Sequence, residues 1–201
     1  MSMSHAHSAA RAQDLRPLPS PRMDAGKPVM QALQARRSTR AYSARPLSQQ
    51  VLSDLLWAAY GINRSTGERT APYWRHVMVL DVYAAMADGV WFYEPQQHAL
   101  RLHLGADIRA QTGTQDFVAS APLNLVYVVH GEHMDVPAAD KRLYGSVDAA
   151  FAGQNVYLYC ASEGLATVFR GAVDYVKLAR AMQLGEDEFV AFAQTVGYPG
   201  A

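Results

Sequence analysis

The sequence has one cysteine in 201 residues, too few for an internal disulfide, so the fold does not rest on covalent staples. It has no excess charge of either sign. Eighteen Lys and Arg balance eighteen Asp and Glu, and charged residues make up only 18% of the chain. A nucleic-acid partner, which calls for a basic face, is therefore not expected. Uninterrupted apolar runs such as Val77–Leu80 are far shorter than the roughly 20 residues a bilayer requires, so no membrane span is expected. There is no Walker loop and no Gly-x-Gly-x-x-Gly, which argues against a nucleotide held in the Rossmann manner. No serine sits in a hydrolase elbow, and no pair of carboxylates is spaced for acid–base work. What the chain does have is apolar residues, half of the total. With so few charges to cover it, some apolar surface is expected to be covered by a second subunit.

Residues 1–27 are rich in Ser, His, Ala, Pro and Arg, with Pro17, Pro19 and Pro21 alternating, and read as an extended or disordered arm. Within the arm, Ala10-Arg11-Ala12 is like a signal-peptidase site but lacks an apolar stretch before it. The compartment is read as cytoplasmic, or periplasmic if that segment is the remnant of a leader. Residues 28–201 read as one domain.

Pro28 opens a short helix with Val29, Met30, Ala32 and Leu33, and Ser48 caps a second over Gln49–Ala59. Val77–Val82 is expected as a strand, and Val90–Tyr93 with Ala99–Leu102 as a hairpin. Asp107 and Thr114 are placed to cap two short helices. Leu123–Val129 is a continuous apolar run, the mark of a buried central strand. Ala138–Glu163 is a long helix with apolar residues all round, ended by Gly164. Leu165–Phe169 is a strand, Asp174 caps a helix through Met182, and Phe189–Val196 is the last strand. This order predicts an α+β, three-layer α/β/α sandwich with a mixed, mainly antiparallel sheet.

Two pieces carry candidate chemistry. Arg36-Arg37-Ser38-Thr39-Arg40 puts guanidiniums and hydroxyls at a helix-to-loop junction, where they can wrap a phosphate or merely form a solvated helix end. Gly164–Gly171 is a helix–strand–turn whose backbone N–H groups can face a flat heterocycle, or an ordinary turn. The remaining candidates favour structural roles. Cys160 reads as a core thiol, and His130 with His133 lacks a convincingly spaced carboxylate for a metal site.

Taken in order, these pieces resemble the nitroreductase family of FMN-dependent oxidoreductases over residues 28–199. Ala35-Arg36-Arg37-Ser38-Thr39-Arg40-Ala41-Tyr42 is similar to that family's N-terminal basic motif. Ala161–Thr167 through Arg170-Gly171 is similar to its late motif, and Gln194–Pro199 to its closing strand. The resemblance implies that Arg36, Arg37, Ser38 and Arg40 hold the FMN phosphate and ribityl chain, with Arg170 and Gly171 beside the flavin. It also implies NADH or NADPH as electron donor and a ping-pong transfer to a nitroaromatic, quinone or similar small acceptor. No acid, base or nucleophile of the protein is then required. A homodimer with FMN at the subunit interface is implied too, the long helix being its contact. The loop after the second helix departs from the family, with His76 where an Asn would touch the flavin. The shortness of the chain places it near the compact branch related to the azoline-oxidising dehydrogenases. A flavin-dependent oxidation of an azoline and a flavin-free binding protein are the alternative readings.

Overall fold

A computed structural model describes residues 15–200. His5, His7 and the Ala10-Arg11-Ala12 segment lie outside the described residues.

Among the described residues seven strands form one sheet: β1 (Leu15–Pro17), β2 (Leu80–Met86), β3 (Gly89–Glu94), β4 (Ala99–Leu104), β5 (Leu123–His130), β6 (Ala166–Arg170) and β7 (Glu188–Gly197). Their order across the sheet is β1-β4-β3-β2-β5-β7-β6. The sheet expected to be mixed and mainly antiparallel is antiparallel in every pairing among the described strands. Alternation along β5 decides the layers. Leu123, Leu125, Tyr127 and Val129 face one core and Val126 and Val128 the other.

The first core is covered by α2 (Gln49–Tyr60) and α3 (Ala138–Glu163), with α1 (Val29–Ala35) packed beside α3. The second is covered by α4 (Tyr175–Ala181), through Leu178 with Met182 just beyond it. The expected caps are in place. Ser48 Oγ accepts from Val51 N at 3.3 Å, and the Asp174 carboxylate accepts from Lys177 N at 3.0 Å. Gly164 ends α3 in the left-handed conformation, φ 73°, which glycine adopts without a Cβ penalty.

Three local readings are adjusted. The strand expected at Val77–Val82 begins at Leu80, because Trp74–His76 form a short 3-10 turn in which Arg75 and His76 take positive φ. The short helices near Asp107 and Thr114 are single 3-10 turns, Arg109–Gln111 and Asp116–Val118. The arm contributes β1 to the sheet edge, Leu15 opposite Arg101 and Pro17 opposite Ala99. It is then fastened to α2 and β4. Pro19 O accepts from Ser53 Oγ at 2.5 Å and lies 3.1 Å from His98 Nε2, while the Arg22 guanidinium meets Asp54 at 2.7 Å. A proline suits this place because the outer edge of β1 needs no ladder donor.

α3 is not buried all round. Gly145, Asp148, Ala149, Ala152, Gly153, Val156 and Cys160 face the core, while Leu143, Tyr144, Val147 and Phe151 form an exposed apolar stripe on another face. Two glycines let α3 lie close to the sheet. A Cβ at Gly145 would come within 2.7 Å of Val129, and one at Gly153 within 2.5 Å of the Phe169 ring.

At the far end of β5, His130 Nε2 lies 2.6 Å from Asp81 and its Nδ1 lies 3.2 Å from Glu132 and 3.4 Å from Glu188. The His133 ring stacks on it at 5.3 Å. These acids come from β2, β7 and the adjoining turn, so the carboxylates that sequence spacing did not reveal serve as ion-pair partners. Among the described residues no group of three or more His, Cys, Asp and Glu could hold a metal. The Asp81 hydrogen bond first, against the opposing effect of burial, pushes the His130 pKa up to about 9 from an ordinary 6.5. Its stabilising contribution is therefore complete below pH 6.5 and is lost as the pH rises through about 9. The thermal midpoint of the wild type is expected to fall more steeply across that window than that of His130→Gln. Parallel melting curves from neutral to alkaline pH would show that the cluster is uncoupled from folding.

Candidate functional site

The segment after α1 runs along the C-terminal end of β7. Thr39 N donates to Thr167 O at 2.9 Å, Ser43 N to Tyr198 O at 2.9 Å and Gly200 N to Ala41 O at 3.0 Å. The Tyr42 hydroxyl closes this turn on Thr39 O at 2.6 Å. Gly197 has to be small here, since a Cβ would meet Pro122 at 2.8 Å and the Tyr42 ring at 3.2 Å. The basic cluster is thereby laid across edge strand β6 and the C-terminus of α3.

Between them lies a cleft of about 370 Å³, lined among others by Arg36, Arg37, Thr39, Tyr157, Gly164 and Thr167. Lys27 lines it as well, and among the described residues no carboxylate does. The Arg36 guanidinium lies 5.2 Å from the centre of the Tyr157 ring, and Ser38 Oγ is 2.7 Å from Tyr157 Oη. Tyr157 Oη also accepts from Phe169 N at 2.9 Å, so one phenol ties the basic segment to β6. Three cations, with no carboxylate among the described lining residues, give the cleft a positive charge, and Arg supplies the forked donors that suit phosphate.

The structure thus brings Arg36 and Arg37 together with the Gly164–Thr167 turn and holds Ser38 at the margin through Tyr157. It does not bring in the rest. Arg40 is exposed and lies outside the cleft lining. His76 is exposed and lines a separate cavity of about 430 Å³ with Arg69 and Tyr73. Gly171 is exposed beyond β6. Arg170 is buried at 3% exposure, where its Nε donates to Thr195 Oγ1 at 3.0 Å, Nη1 to Thr112 O at 3.0 Å and Nη2 to Asn124 Oδ1 at 3.1 Å. Burial pulls its pKa down to about 10, so it stays charged at neutral pH with neutral acceptors around it. Lys27 went unnoticed because it closes the Pro-rich arm, and only the packing of that arm on α3 brings it here. The Lys27 amide donates to Ser162 Oγ at 2.6 Å. Cys160 lines the cleft floor but is fully buried, and burial pushes its thiol pKa up, as an inert thiol requires.

An antiparallel sheet between two helical layers, with a positively charged cleft where a basic segment crosses the edge strand, defines an α+β protein with its candidate site at that edge. The comparisons narrow this. The family model for the nitroreductase family matches residues 33–198. A nitroreductase-family protein of Methanocaldococcus jannaschii is 32% identical over 148 residues, 68% of this chain and 75% of its own. The crystal structure of a nitroreductase-family protein from Ralstonia eutropha JMP134 superposes with a TM-score of 0.89 at 43% identity, covering 94% of this chain and 90% of the other. The NADPH:FMN oxidoreductase of Vibrio harveyi shares the fold, with a TM-score of 0.64 at 21% identity over 86% of this chain and 69% of its own. The chain belongs to the nitroreductase family, which makes it an oxidoreductase.

Proposed function

We propose that the chain is an FMN-dependent NAD(P)H oxidoreductase. The observation that carries the reading is the gathering of Lys27, Arg36 and Arg37 around a cleft beside β6 that no carboxylate lines among the described residues. A dianionic phosphate matches that charge, and the cleft has the breadth for a phosphorylated chain. Arg36 and Arg37 bind the phosphate as forked donors, Lys27 adds a point charge, and the Ser38 hydroxyl is placed to complete the anion's shell. The chemistry supplied here when FMN is bound is hydride transfer at the flavin N5, in ping-pong order, from NADH or NADPH to a nitroaromatic, quinone or similar small acceptor. No acid or base of the protein is asked to act.

The exposed stripe Leu143, Tyr144, Val147 and Phe151 on α3, and Val29, Met30 and Leu33 on α1, supports a homodimer that covers these apolar faces. Apolar faces of this kind are costly to leave in water and match the surplus of apolar residues in the sequence.

Purified full-length protein mixed with FMN and desalted is expected to stay yellow, to bleach under anaerobic NADH or NADPH, and to give parallel double-reciprocal plots with a quinone acceptor. Sedimentation is expected to report two chains. A colourless protein after desalting would overturn the flavin reading.

A further inference from the structure

We propose that the second cavity, formed by the loop between α2 and β2, binds a small aromatic monoanion through Arg69, and that the physiological electron acceptor belongs to this class. The second half of that statement rests on the oxidoreductase reading above; the binding site itself does not.

Arg69 lines this cavity of about 430 Å³ yet is only 8% exposed. Its Nε and Nη1 are buried with no hydrogen-bond partner among the described residues, and the same holds for the Tyr60 hydroxyl beneath it. A buried guanidinium left without an acceptor is costly, and proteins keep such groups rarely. Arg64 and Glu68 line the cavity as well, but they answer each other: Glu68 is engaged by the Thr66 hydroxyl and lies 3.9 Å from Arg64. One unmatched positive charge remains, which suits a monoanion better than a phosphate dianion.

Two of the lining side chains, Tyr73 and His76, carry flat rings, and the buried Tyr60 ring stands against Tyr73. The Arg69 guanidinium lies 5.4 Å from the centre of the Tyr60 ring, Tyr73 stands edge-on to Tyr60 at 6.5 Å, and His76 stands edge-on to Tyr73 at 5.9 Å. The cavity has the size of a small-molecule pocket, and such walls favour a flat ring over an aliphatic acid. The loop is braced for the task. Asn155 Nδ2 donates to Thr70 O at 3.3 Å and Trp74 N to the Asp148 carboxylate at 2.9 Å, both on α3, the helix that also borders the phosphate cleft. Arg75 and His76 hold positive φ at the rim, a strained conformation of the sort that collects at ligand clamps. A benzoate-type carboxylate on Arg69, with its ring along Tyr73, uses each of these features.

The test uses the full-length protein incubated with FMN and takes p-nitrobenzoate and neutral nitrobenzene as probes. The Arg69 Nε–H resonance, assigned by its absence in Arg69→Lys, is followed by 15N NMR during each titration. Saturable movement of that resonance by p-nitrobenzoate and not by nitrobenzene is expected. In steady-state turnover, Arg69→Lys is expected to lower the kcat/KM preference for p-nitrobenzoate over nitrobenzene by about tenfold or more, the loss of one good charge-assisted contact. Flavin content is read in the same samples. An unmoved Arg69 resonance, an unchanged preference, or loss of flavin from the variant would each overturn the proposal, the last by making Arg69 a flavin ligand. A wild type that binds p-nitrobenzoate but retains no flavin would sink the oxidoreductase reading and leave the site standing. Should the variant fail to fold, calorimetric titration of the wild type decides: saturable heat with p-nitrobenzoate and none with nitrobenzene is expected, and equal heats or no heat with p-nitrobenzoate would overturn the proposal.

Discussion

Arg170→Ala is expected to destabilise the protein by about 3–4 kcal/mol, read as a shift in the urea midpoint. The guanidinium donates to Thr195, Thr112 and Asn124, which reach it from β7, a 3-10 turn and β5. Each charge-assisted bond contributes about 1.5–3 kcal/mol, and removing the donor leaves buried acceptors unpaired. Relief of the burial penalty, the same effect that draws the Arg170 pKa down to about 10, offsets part of this and keeps the net loss below the sum. Thr195 Oγ1 still donates to Asn124 Oδ1 at 2.6 Å, so the network loosens without emptying. Gly113 supplies a second reading of the same place, because a Cβ there would overlap Arg170 Nη1. Gly113→Ala is expected to be strongly destabilising in the wild type and much less so in Arg170→Ala, where only the 3.2 Å approach to Ala172 O remains. Additive costs, or an Arg170→Ala midpoint close to wild type, would show that the buried guanidinium does not organise this region.

The double variant Arg36→Ala/Arg37→Ala is expected to bind FMN at least about a hundredfold more weakly. Two guanidiniums each give up a charge-assisted contact of about 1.5–3 kcal/mol, and a factor of ten corresponds to about 1.4 kcal/mol. Lys27 remains as the third cation of the cleft and should leave residual, salt-sensitive binding. Arg40→Ala is the contrast. Its side chain is exposed and outside the cleft lining, so its effect on FMN affinity should be only a few-fold. Fluorescence titration of FMN into the three proteins measures this directly, with circular dichroism to verify folding. Equal losses for Arg40→Ala and the double variant would return the phosphate site to a loose cluster of all three arginines. No loss in the double variant would place the phosphate elsewhere.

Much of this architecture is written locally in the chain. Ser48, Asp174 and Gly164 mark helix ends by side-chain or backbone conformation that depends on a few neighbours. Leu123–Val129 announces a central strand by composition alone, and the Arg36–Arg40 cluster advertises an anion site by density of charge. What stayed hidden depends on partners far along the chain. Arg170 follows a strand in the sequence like any solvent-seeking cation, and only β5, β7 and the turn at Thr112 supply the acceptors that draw it inward. Lys27 gains its place because the arm packs on α3, and Arg69 because its loop closes over Tyr60. The carboxylate that His130 needs arrives from β2, 49 residues away. Helix caps, apolar runs and clusters of like charge act over a turn or two and can be read in order. Burial of a charge and the identity of its partner are set by sheet register and layer packing, which join residues that the sequence keeps apart.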